Sequence, residues 1–211
     1  NRLDEPLREV VLDLATVGDL RLCERPAPFA LAPHASVDVR VGVKVSSTET
    51  GIIYGTISYE GLPGADGARD ADRPPVILNS VQIDIMDYIS AAECTAAQFR
   101  GMWAEFEWEN KVTVATTITS PSAYLLHVAS GANLRCLTNL GGGGADDDEC
   151  GFLAANLYAR SVFGEDVLVN MSLEKQRDGS LGGTLRIRSK AQGIALSLGD
   201  KIAARQRSID S

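Results

Sequence analysis

Histidine is scarce in this 211-residue sequence: His34 and His127 are the two present, and neither lies near a cysteine pair. The four cysteines, Cys23, Cys94, Cys136 and Cys150, make no CxxC and none of the close spacings of a zinc site. GxSxG, P-loop and HExxH patterns are missing as well. Together these gaps count against nucleophilic hydrolysis, nucleotide hydrolysis and zinc chemistry, and the expectation is a non-enzymatic chain with no cofactor and no metal. The uncharged apolar runs fall far short of the ~20 residues of a membrane span. Positive charge is in deficit, with 20 Lys and Arg against 28 Asp and Glu and a net charge of −8. A broad basic face for nucleic acid is therefore not expected, nor is tight binding to an anionic membrane.

Two acidic or glycine-rich features invite chemistry and lose it on inspection. Gly141–Gly144 is followed by Asp146–Glu149, and a phosphate cradle would not place four carboxylates beside the anion. The same four consecutive acids lack the alternating ligand spacing of a calcium loop and suit a solvated loop. Glu105, Glu107 and Glu109 straddle a change of period, so their faces scatter and solvent is their expected surrounding. His127 has no evident partner for base catalysis. Asn170-Met171-Ser172 is a formal glycosylation sequon but falls within an expected strand.

The most informative stretch is residues 94–114, CTAAQFRGMWAEFEWENKVTV. Thr95 followed by Gln98 is a capping-box pattern and predicts a helix over 95–107. Phe99, Met102, Trp103 and Phe106 fall at i, i+3, i+4 and i+7, one apolar stripe. From Trp108 the period changes to two, with Trp108, Val112, Val114 and Ile118 on one parity, which predicts a half-buried strand over 108–118. Both tryptophans could belong to the core; alternatively one stands at the surface as a docking anchor. The position of Trp103 at the edge of the stripe permits it to be the exposed one, and the alternation of Trp108 with Val112 and Val114 places Trp108 in the core.

Ahead of this stretch the pattern is all-β. Leu7–Leu14 and Asp19–Glu24 are short strand candidates, and Pro26, Pro28 and Pro33 exclude a helix. The alternation of Val37, Val39, Val41, Val43 and Val45 predicts a strand over 36–46. A turn at Ser47–Gly51 leads into a strand at Ile52–Glu60, and the sum suggests an immunoglobulin-like sandwich. Residues 61–75 read as a surface loop, and Val76–Ile89 as an extended crossing with Val81, Ile83 and Ile85 on one face. The boundary is placed after residue 88, giving a sandwich over 1–88 and a second module over 89–211.

In the second module Ser120-Pro121 is an N-cap followed by proline at the first helical position, and Gly131 is the expected stop. Leu134–Thr138, Gly151–Arg160, the run from Asp166 and Leu181–Ser189 read as strands, the last two joined by a turn at Asp178-Gly179. A loop is expected over 139–149. Ala191, Ile194, Leu198 and Ile202 keep helical spacing despite Gly193 and Gly199. The whole is α+β: a β-sandwich, incomplete at its N-terminus, then an α/β platform with an antiparallel sheet of about five strands and flanking helices. The cysteines are expected to be free thiols in a reducing cytosol.

Six segments carry a resemblance: LDLATVGDL (12–20), KVSSTETGIIYG (44–55), IDIMDYI (83–89), MWAEFEWENKV (102–112), CGFLAANLYARSVFGED (150–166) and RIRSKAQGIALSLGDKI (186–202). They resemble the C-terminal appendage domains of coatomer beta subunits, of the COPI vesicle coat, over nearly the whole chain; 61–75 and 139–149 depart from the family. The resemblance implies further sandwich strands and a helical trunk upstream. It implies a coat appendage in Golgi–ER and intra-Golgi transport, cytoplasmic and peripheral on Golgi membranes and COPI vesicles, touching membrane only through the coat. Other coatomer subunits and accessory or regulatory coat proteins are the implied partners. Related appendages bind short peptides around a platform tryptophan that follows a phenylalanine. Phe99-Arg100-Gly101-Met102-Trp103 has that order, so Phe99 and Trp103 are carried over, with Arg186 and Arg188 as the basic residues on nearby strands. The alternative is a purely structural contact domain of the coat lattice with no peptide-docking site.

Overall fold

The structure, a computed structural model, describes residues 1–60, 74–139 and 151–206. The chain divides into two compact units, Asn1–Asp84 and Ile85–Ser211. The boundary expected after residue 88 lies four residues into the second unit. Most of both expected loops, 61–73 and 140–149, lies outside the described residues, as does Cys150. Cys23, Cys94 and Cys136 are free thiols.

The first unit holds β1 (Leu7–Val17), β2 (Leu20–Leu22), β3 (Phe29–Leu31), β4 (Val43–Val45), β5 (Gly51–Glu60), β6 (Val76–Ile77) and β7 (Val81–Ile83). Five of them form an antiparallel sheet in the order β3-β1-β5-β6 with β7 also on β5, and β2 pairs with β4. A register shift between Leu7 and Val10, with Glu9 at φ 46°, lets two residues of opposite parity both turn inward. Leu7 and Val10 are buried accordingly.

The strand expected over 36–46 is not there at that length: β4 spans Val43–Val45, and Val37 and Val39 are 52% and 38% exposed. An alternating stretch is held as a strand only where a neighbouring strand supplies backbone partners. β2 supplies them at 43–45, and Cys23 N donates to Gly42 O just before, but among the described residues no strand lies beside 36–41. Val37 and Val39 instead line an apolar groove of about 510 Å3 with Leu7, Val10, Phe29 and Ile57. The continuous extension expected over Val76–Ile89 is likewise broken. β7 ends at Ile83, and Ile85–Tyr88 is a single helical turn that buries Ile85 and Tyr88.

The second unit opens with that turn, α1 (Ile85–Tyr88), and continues β8 (Ile89–Ala91), α2 (Ala96–Glu105), β9 (Trp108–Thr113), α3 (Pro121–Gly131), β10 (Arg135–Cys136), β11 (Phe152–Ser161), β12 (Asp166–Lys175), β13 (Leu181–Ser189) and α4 (Gln192–Arg205). Its antiparallel sheet runs β10-β11-β12-β13-β9, with β8 also on β11. At the β12–β13 turn Gly179 takes φ 84°, which a side chain would resist. That turn fixes the register in which Asn170 faces Arg186 and Leu168 faces Arg188.

One face of this sheet is sealed. Leu157, Ala159, Val167, Val169, Met171, Leu173, Leu185 and Ile187 are all fully buried against Tyr124, Leu125 and Val128 of α3 and Ile194, Leu198 and Ile202 of α4. Ser120 caps α3 by accepting from Ala123 N at 3.2 Å, as the Ser-Pro pair predicts. Gly131 is the last helical residue, and the left-handed position behind it is taken by Asn133 at φ 51°, whose Nδ2 donates to Met86 O at 2.9 Å. Gly199 in α4 has a packing reason: a Cβ there would collide with the Asn110 amide. Asn110 Nδ2 donates to Ala195 O at 3.2 Å, so the missing side chain lets the helix sit close on β9. Buried Gln206 closes the far end, accepting from Tyr124 Oη at 2.6 Å and donating to Thr113 O at 3.0 Å. Burial pushes the Tyr124 phenol up to about 12.

Candidate functional site

The other face of the sheet is only partly covered, by α2. Thr95 and Gln98 complete the capping box: Gln98 N donates to Thr95 Oγ1 at 3.2 Å and Thr95 N to Gln98 Oε1 at 2.8 Å. The cap fixes where the helix starts, and thus which side chains meet the sheet. Phe99 and Phe106 turn down and pack with Tyr158 of β11 and Leu168 of β12, all four buried. Met102 and Trp103 pack against that cluster and stay half-buried. The Tyr158 hydroxyl donates to Asp166, and burial first, with that bond second, raises its phenol to about 12.

Trp103 is neither bare nor sealed. Its ring stacks on Phe99, with centroids 5.7 Å apart and planes 13° from parallel. The Arg188 and Arg186 guanidinium carbons lie 4.7 and 5.5 Å from its centroid, a cation–π arrangement. All four residues expected from the sequence, Phe99, Trp103, Arg186 and Arg188, therefore meet at one place. Arg186 and Arg188 are two apart on β13 and share its outward face while Leu185 and Ile187 face the sealed side.

The structure adds Glu109, which the sequence left to solvent. Arg186 donates to it through Nε at 3.0 Å and Nη2 at 2.8 Å, and Arg188 through Nε at 2.6 Å. Arg188 Nη1 also donates to Trp103 O at 2.6 Å, tying the end of α2 to the sheet. Arg188 is thus a positioning residue with most of its fork committed, whereas Arg186 keeps 41% of its side chain exposed. Hydrogen bonds from Arg186 hold the Glu109 carboxyl below the ordinary carboxylate range, against the effect of burial, and Arg188 adds to them. Glu105 pairs instead with Lys190 at 2.8 Å in open solvent.

Next to Trp103 the sheet face is open. A cavity of about 250 Å3 is lined by Phe99, Arg100, Trp103, Asn156, Asn170 and Arg186. The cleft between α3 and α4, by comparison, holds only about 10 Å3. Asn156, Asn170, Arg186 and Lys111 stand in direct register across four strands. Neither asparagine was singled out as a site residue in the sequence. Counting outward from the Phe163-Gly164 turn would have paired them, since that hairpin also sets Arg160 opposite Asp166.

Trp108 is where the structure overturns the sequence. It is 46% exposed and not a core residue. Its parity is the one expected, shared with Asn110, which bonds to α4, and with buried Val112. Its depth is not: β9 is an edge strand, and Trp108 pairs with Ser189, where β13 ends and the chain leaves for α4. Helical cover begins only past that point. The strand expected to 118 also ends at Thr113, although Val114 remains buried.

No group of three or more histidine, cysteine, aspartate or glutamate side chains among the described residues could hold a metal ion. No helix among them is long and apolar enough to cross a membrane.

Comparison with known proteins gives a consistent result. A family model described as the coatomer beta subunit appendage platform matches residues 72–202, and one described as the coatomer beta C-terminal region matches residues 1–61. The chain is 56% identical to coatomer subunit beta-1 of Arabidopsis thaliana over 98% of its length. It is 51% identical to coatomer subunit beta of Rattus norvegicus and 49% to that of Drosophila melanogaster, again over 98% of its length. In each case it spans 21% of the relative, about a fifth of that protein.

Proposed function

The chain belongs to the coatomer beta-subunit family, to its appendage, and from that premise we propose that it is a non-enzymatic docking platform of a COPI coat, binding short peptide segments at Trp103. Its partners are other coatomer subunits and accessory or regulatory coat proteins. Its place is the cytoplasmic face of Golgi membranes and COPI vesicles, in Golgi–ER and intra-Golgi transport, with membrane reached only through the coat.

The observation that carries this is the half-buried Trp103 ring, held by Phe99 and two arginines at the edge of an open cavity. Docking hot spots are large aromatics that are fixed before the ligand arrives and keep a free face. Phe99 and Phe106 anchor the helix, Arg188 holds its end, and Glu109 keeps the two guanidinium groups in place. Arg186, partly exposed, and Arg100, exposed on α2, keep positive charge at the cavity.

The test is direct titration of the chain with synthetic peptides from exposed loops of coat subunits and coat regulators. Trp103→Ala should weaken any specific binder by roughly thirtyfold or more, the scale of about 2 kcal/mol at a hot spot. Equal binding by both proteins would move the docking site elsewhere.

A second reading has its own observation. Trp108 stands 46% exposed on an edge strand, and exposed aromatics at sheet edges suit protein contacts. Under this reading the platform touches a neighbouring coat subunit through β9. Loss of coat assembly in Trp108→Ala, with peptide binding intact, would favour it.

A further inference from the structure

We propose that the floor of the Trp103 cavity is an amide-reading subsite, taking the carboxamide of an asparagine or glutamine in an extended partner segment; this rests on the docking function proposed above. Asn156 and Asn170 lie opposite each other on β11 and β12, with Arg186 opposite Asn170 on β13. Both asparagines and Arg186 line the cavity beside Trp103. Asparagine is disfavoured inside strands, yet two stand at mid-strand positions of the sheet's central hairpin. A local choice that opposes the fold is expected where function overrides it.

The pair presents a specific hydrogen-bonding pattern to the cavity. Asn170 Nδ2 donates to Asn156 Oδ1 at 2.9 Å. Among the described residues, none takes up the remaining Asn156 Nδ2 hydrogens or the Asn170 Oδ1 lone pairs. Interchanging nitrogen and oxygen in both amides reverses the bond and still leaves one free donor and one free acceptor. A carboxamide presents the complementary donor and acceptor on one flat group. A carboxylate has only acceptors and would set one of them against an amide oxygen. The cations do not reverse this preference. Arg188 is committed to Glu109 and Trp103 O, and Arg186 grips Glu109 through both Nε and Nη2. Arg100, exposed on α2, can meet the partner's backbone carbonyls or an acidic neighbour.

The test uses the full 211-residue chain and a displayed random heptapeptide library, with counter-selection on Trp103→Ala. The expected winners carry Asn or Gln at one recurrent position. In synthetic winners, changing that residue to Asp or Ala should weaken binding to the unaltered chain at least about tenfold, as two lost hydrogen bonds would. Asn156→Ala and Asn170→Ala should abolish most of that preference while leaving the melting temperature within a few degrees. Winners that depend on Trp103 but tolerate Asp or Ala at every position would overturn the amide subsite and leave the docking function standing. An absence of any Trp103-dependent winner would overturn both. Should an asparagine variant fail to fold, the Asn-to-Asp comparison on the unaltered chain still decides.

Discussion

The two faces of the platform sheet are built from the same strands and behave differently. On one face Val167, Val169, Met171, Leu173, Leu185 and Ile187 are fully buried under α3 and α4. On the other, the row Tyr158–Leu168–Arg188–Glu109 lies under or beside α2, and the next row, Asn156–Asn170–Arg186–Lys111, lies open. Two helices close a face, and one short helix leaves a ledge. The open ledge beside Trp103 comes from the extent of helical cover. Where cover is complete the strands are mostly apolar, and where α2 stops β11 and β12 turn polar within two residues.

That contrast can be broken at either face, and the largest effect belongs to the sealed one. Leu185→Ala should destabilise the chain by about 2–5 kcal/mol, the cost of a large core truncation, in urea unfolding followed by circular dichroism. Peptide affinity of the fraction still folded should not change. Trp103→Ala tests the open face. It should lose about 2 kcal/mol or more of peptide binding and about 1–2 kcal/mol of stability, since the ring is half-buried and stacked. Calorimetric titration and thermal melting on the same samples separate the two effects.

How much of this was legible in the sequence depends on range. Thr95 with Gln98, Ser120 with Pro121 and the Asp178-Gly179 turn are local signals, and each marks the element it caps or turns. The meeting of Phe99, Trp103, Arg186 and Arg188 was legible through the family resemblance joined to the outward parity of β13. Glu109 and the asparagine pair depend on cross-strand register, which no single stretch encodes. Residues 36–42 lack a partner strand, and Trp108 has one but lacks helical cover. Alternation reports which face a side chain takes and is silent on whether anything covers that face. Val37, Val39 and Trp108 have strand-like periodicity and lack the neighbour that would bury them.

Trp108→Ala should cost within about 1 kcal/mol, well below a core tryptophan, because the residue is 46% exposed. Glu109→Gln should change stability by less than about 1 kcal/mol, because the pair is partly solvated, and the change should depend on pH. The folded carboxyl is held below its ordinary range by Arg186. Its contribution is therefore present above the unfolded value of about 4.3 and is lost as pH falls through the folded value. The melting curves of Glu109→Gln and the parent should differ near neutral pH and converge in acid; a difference that grows in acid would contradict the assignment.

Ligand binding at Trp103 can be read directly, because a chain carrying Trp108→Phe leaves Trp103 as its single tryptophan. Emission of that variant should shift saturably as a selected peptide is added, with the midpoint that calorimetry reports for the same mixture. Calorimetric binding with no change in Trp103 emission would contradict it.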